Sequence, residues 1–145
     1  MVSARRVSTR DIALAGGSLD ALITKLIEQV RSGNMEQREV GAMFIHSLTD
    51  QPRGLAGEQE AENGVLLARA GAIRPLVALV TIGSPVAQHH ACGALAVIAA
   101  GRKEYQEEIA VAGGVPPLAA ALRAGDPSVQ EMAAAAIASV SQLVS

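Results

Sequence analysis

The feature that most limits how this chain can fold is a repeat. Gly71-Ala72-Ile73-Arg74-Pro75-Leu76-Val77 returns as Gly113-Gly114-Val115-Pro116-Pro117-Leu118-Ala119, an offset of 42. The offset continues without a gap: Gly83-Ser84-Pro85 falls on Gly125-Asp126-Pro127, Gln88 on Gln130, Ala91 on Ala133, Leu95 on Ile137 and Ile98 on Val140. Upstream, Leu67 falls on Ile109. An earlier copy lies at an offset of 50, matching Leu26 to Leu76, Gly33 to Gly83, Ile45 to Leu95 and Leu48 to Ile98. The extra residues belong between Leu48 and Leu67, where Pro52, Gly54 and Gly57 mark an exposed loop. Self-similarity at this period is the signature of an array in which each unit buries its apolar face against its neighbours.

Within a copy the signals are helical. In the last one, a short helix over 104–112 stops at Gly113-Gly114, and Pro116-Pro117 opens a second helix, because a first-turn proline gives up an N–H the helix does not use. That helix ends at Gly125. Asp126-Pro127 then starts a third, with aspartate as N-cap and proline in the first turn, and Ser84-Pro85 repeats the device. Along the third helix Val129, Ala133, Ala136, Ile137 and Val140 form a core-facing stripe. The expected fold is all-α, with no sheet.

Composition narrows the function classes. The chain has 28 alanines and only two aromatic side chains, Phe44 and Tyr105, which suits close helix packing and argues against a sandwich or barrel. Its 145 residues can bury roughly 70% of the unfolded surface, enough for a core without staples. Cys92 is the single cysteine, so no intrachain disulfide or multi-cysteine zinc site can form. The longest apolar run, 91–100, is half the length of a membrane helix. A net charge of −2, two lysines and no stacking platform speak against nucleic acid. The expectation is an intracellular protein, cytoplasmic or nuclear, with neither a membrane nor a nucleic acid as partner.

Residues 1–11 read as a flexible tail. Arg5, Arg6 and Arg10 with Ser3, Ser8 and Thr9 are also the composition of a transit segment, though frayed tail is the simpler reading. Arg5-Arg6-Val7-Ser8 has the spacing of basophilic kinase sites, which makes Ser8 a candidate for phosphorylation.

Ala70-Gly71-Ala72-Ile73-Arg74-Pro75-Leu76-Val77-Ala78-Leu79-Val80, followed by Gly83-Ser84-Pro85-Val86-Ala87-Gln88 and Ala91-Cys92-Gly93-Ala94-Leu95, resembles the armadillo repeat. The copy over 113–140 is closer still, and the leading copy, where Gly33-Asn34-Met35 lacks the proline, is the most degenerate. The resemblance covers residues 12–142 and implies a right-handed α-α superhelix over 12–145, with repeats at about 12–50, 60–100 and 101–142 and an inserted loop at 51–59. It further implies a concave groove, lined by third helices, that binds a protein or peptide segment. The positions beside the buried stripe are Glu131, Ala135 and Ser139, which the offsets carry to His89, Gly93 and Val97 and to Glu39, Met43 and Ser47. Importin-alpha-like members place tryptophan at the position of Met43, Gly93 and Ala135 and asparagine at that of Ser47, Val97 and Ser139. Neither type occurs there, so import-type recognition of basic peptides is not expected, and small positions serving only tight curvature remain an alternative.

No catalytic constellation stands out. GxSxG, P-loop and HExxH motifs are absent. Glu104, Glu107 and Glu108 at a helix start complement its dipole. His89 and Cys92 share a helix face, His90 points about 100° away from His89, and His46 belongs to another repeat, so neither a metal nor a cofactor is expected. The leading expectation is a non-catalytic protein-binding module. The alternatives are a self-associating helical element, favoured by the alanine-rich last helix, or a fragment or cap of a larger scaffold; a repeat-type lyase or chromophore-handling enzyme is weaker still.

Overall fold

The computed structural model describes residues 18–50 and 63–144. The tail with Ser8, the start of the leading repeat and the inserted loop 51–59 lie outside them. The described residues form eight α-helices and a closing 3-10 turn, with no strand. They are α1 (Leu19–Ser32), α2 (Met35–Asp50), α3 (Asn63–Arg69), α4 (Ile73–Ile82), α5 (Pro85–Ala99), α6 (Lys103–Val111), α7 (Val115–Ala124) and α8 (Pro127–Ser141). The second and third copies each contain a short helix and two longer ones, as expected, with boundaries shifted by about one residue.

The caps explain the boundaries. Ser84 and Asp126 accept hydrogen bonds from the N–H groups of Ala87 and Val129, at 3.3 and 3.1 Å, and Pro85 and Pro127 follow in the first turn. The leading copy replaces proline with a reciprocal cap: Asn34 Oδ1 accepts from the Gln37 N–H and Gln37 Oε1 from the Asn34 N–H, both at 2.9 Å. Two unpaired donors are thereby satisfied at once. Ser18 caps α1 by accepting from the Ala21 N–H at 3.1 Å. Gly33, Gly83 and Gly125 close the second helices by donating to the carbonyls of Gln29, Leu79 and Ala121. They are glycine because a Cβ would sit 2.4–2.6 Å from those same carbonyl oxygens.

The helices stack in two rows. The second helices α1, α4 and α7 touch in sequence, and so do the third helices α2, α5 and α8, with α5 packed against both of its neighbours. The short helices α3 and α6 bridge adjacent third helices. The equivalent leucines Leu26, Leu76 and Leu118 are all buried, as are Leu67 and Ile109 on the short helices. Ile45 and Leu95 are fully enclosed, whereas Ile137 is only partly buried, because α8 has a third helix on one side only. No single described helix is long and apolar enough to cross a membrane.

Candidate functional site

The nine positions inferred for the groove fall on α2, α5 and α8, and the structure divides them by accessibility. Glu39, Met43, His89 and Val97 are half-buried, and Glu131 and Ala135 are exposed. Ser47, Gly93 and Ser139 are buried. These three differ from the expectation of a lining surface: the row of third helices is tight enough that the small positions lie between helices. Ser139 Oγ donates to the Ala96 carbonyl at 2.8 Å, tying α8 to α5. Ser47 Oγ has no hydrogen-bond partner among the described residues. A Cβ on Gly93 would lie 2.5 Å from His46 Nε2, so that glycine is the seat of an imidazole.

The polar positions link one repeat to the next. Ser84 Oγ donates to Glu39 Oε2, and His89 Nδ1 pairs with the Ser128 carbonyl at 3.1 Å. A carbonyl only accepts, so this contact fixes the proton on His89 Nδ1 and leaves Nε2 as an acceptor.

The structure also assembles a group that the offsets keep apart. His46 on α2 meets His89 and His90 on α5, with ring centroids 5.9 and 5.2 Å away and edge-to-face planes. The rings of His89 and His90 are 4.9 Å apart and nearly perpendicular. His46 Nδ1 and His90 Nδ1 are 2.9 Å apart, a hydrogen bond in which one ring donates and the other accepts. One ring nitrogen from each of the three histidines lies within 4.8 Å of the others. The expectation that His46, in another repeat, stands apart from the His89-His90 pair is therefore corrected.

That expectation failed for a physical reason. Helical side chains lean toward the N-terminus of their own helix, so each reaches a point about one turn before its equivalent in the next copy. Glu39 reaches Ser84 rather than His89, His89 reaches Ser128 rather than Glu131, and His46 reaches His90 and Gly93 rather than Ala96. Applied to the sequence, that lean would have brought His46 to the pair.

Burial sets the charge of the cluster. It lowers the pKa of His90 from 6.5 to about 4, with the neighbouring imidazoles His46 and His89 adding to the effect. Burial also lowers that of His46, against the opposing pull of Asp50 one turn away. Both are neutral at pH 7. Cys92, paired with His89 in the sequence reading, points into the core, where burial raises its thiol to about 11. It is a small apolar filler there. A hollow of about 750 Å³ lies elsewhere, along α1 beside Thr24, Lys25, Glu28 and Gln29.

Comparison with known proteins agrees with this architecture. The profile of the Armadillo/beta-catenin-like repeat matches residues 102–141. An engineered protein of known structure superposes with a TM-score of 0.71 at 30% identity, over 84% of this chain and 47% of its own. A designed armadillo repeat protein gives 0.69 at 26% identity, over 90% of this chain and 55% of its own. Another, solved in complex with the peptide (KR)4, gives 0.70 at 22% identity, over 93% of this chain and 60% of its own. The chain thus spans about half the length of such structures. No curated protein sequence matches it. Repeat pattern, helix rows and caps converge with these matches: residues 102–141 match an armadillo repeat, and the described residues share the fold of designed armadillo repeat proteins.

Proposed function

We propose that the chain is a non-catalytic protein-binding module that holds an extended peptide segment along the row of third helices α2, α5 and α8. The observation that carries this reading is the recurrence of one polar position, Glu39, His89 and Glu131, on three adjacent helices, each half-buried or exposed. Between them Met43, Val97 and Ala135 supply small or flexible apolar contacts. Two carboxylates flanking an imidazole favour a partner that brings a basic or hydrogen-bond-donating group to the middle of the row. The peptide complex of a designed armadillo protein supports the class of ligand, and its low identity to this chain leaves the preferred sequence open. An intracellular setting, cytoplasmic or nuclear, fits such a module.

The test is a displayed peptide library panned against the intact chain in chelator-containing buffer. The affinity of a selected peptide is then measured by fluorescence anisotropy. Binding energy concentrates in a few central contacts, so His89→Ala with Glu131→Ala should weaken the peptide roughly tenfold while the cooperative helical fold is retained. Glu107→Ala with Glu108→Ala on α6 should leave it unchanged. The reverse pattern moves the site off the third helices and contradicts the proposal.

Self-association is the second reading, favoured by the exposed Val111, Val115 and Leu122 on α6 and α7. A mass independent of concentration in sedimentation equilibrium removes it.

A further inference from the structure

We propose that His46, His89 and His90 form a three-imidazole site for a divalent transition-metal ion of the Zn2+, Ni2+ or Co2+ class. The site goes beyond peptide binding and does not depend on it.

Geometry carries the argument. Three nitrogens bound to one tetrahedral zinc at about 2.0–2.1 Å stand about 3.3–3.4 Å from one another. Here one nitrogen from each ring already lies within 4.8 Å of the others, and the His46–His90 pair stands at 2.9 Å. Coordination requires the rings to rotate so that this pair separates slightly and His89 draws inward, and the proton shared by the two Nδ1 atoms to move to the other nitrogen of its ring.

Three further observations fit a ligand site. His89 donates its Nδ1–H to the Ser128 carbonyl, the outer hydrogen bond that orients a metal-binding imidazole and leaves Nε2 free to coordinate. Gly93 stands inside α5, where alanine would favour the helix, and the space it leaves is filled by the His46 ring. All three rings are half-buried, so neighbouring residues hold them while the remaining coordination positions stay open to water or to a donor from a partner. Imidazole donors select transition metals over Mg2+ and Ca2+, which prefer oxygen. Asp50, one turn beyond His46, adds a favourable negative charge.

The chain has only these three histidines, so the test is direct. Metal-free protein is titrated with Zn2+ and followed by calorimetry and by the imidazole 1H–15N resonances. Co2+ absorption reports the coordination geometry. The expected result is one ion per chain, with all three imidazoles shifting together at one equivalent. His46→Gln and His90→Gln should each lower the affinity at least tenfold. Gly93→Ala, which keeps every histidine but crowds the His46 ring, should also weaken binding, and Cys92→Ala should not. Sub-stoichiometric binding, or shifts confined to His89 and His90, overturns the proposal. The wild-type resonances decide the matter even if a variant fails to fold. Because no peptide is present, failure here leaves the peptide-binding proposal untouched.

Discussion

At the scale of single residues, the histidines respond to their surroundings most strongly. In the unfolded chain an imidazole titrates near 6.5, whereas folded His90 titrates near 4 and His46 is lowered as well, mainly because burial penalises the charged ring. Between those pH values the unfolded chain binds more protons than the folded one, so stability falls as pH is lowered from about 6.5 toward 4 and is fully present above 6.5. The groups facing the cluster act in both directions: Asp50 raises His46 and the neighbouring imidazoles lower both rings, while Asp126 faces His89. In chelator-containing buffer the Tm should drop steadily between pH 7 and 5, and His90→Gln should remove part of that slope. A flat Tm over this range contradicts the burial assigned to the rings. Burial of the rings is not visible in the sequence, and the cluster emerges there only through the lean of helical side chains, since His46 and the His89-His90 pair sit 43 and 44 residues apart.

At the scale of elements, the sequence was more informative. Ser84-Pro85 and Asp126-Pro127 mark the starts of α5 and α8, because both cap chemistry and proline geometry are local. The reciprocal cap of Asn34 and Gln37 is equally local, but it lacks the proline that marks the other two helix starts. Accessibility of Ser47, Gly93 and Ser139 was not legible, since it depends on how closely neighbouring third helices approach. Packing on α5 yields a sharp expectation. Leu95 is fully enclosed in the central third helix, so Leu95→Ala leaves a cavity costing about 2–5 kcal/mol. For a chain of this size that lowers the Tm by at least about 5 °C in calorimetry. A Tm within a degree or two of the parent contradicts the alignment of the repeats.

At the scale of the whole molecule, stability and function share one surface. Each repeat is supported only by its neighbours, and the contacts that bind α5 to α2 and α8 come from the third helices proposed to hold a partner. Glu39 and His89 each reach into the following repeat, so the row is joined by the same side chains that a peptide would meet. Among the described residues, Glu131 and Ala135 form an exposed edge of that row, the surface on which the proposed segment would lie. The most direct measurement is backbone amide chemical-shift mapping of the chelated protein on addition of a library-selected peptide. The largest shifts should fall on α2, α5 and α8, centred near His89, with α3, α6 and α7 little changed. Shifts concentrated on α6 and α7, with the third helices silent, would contradict the account.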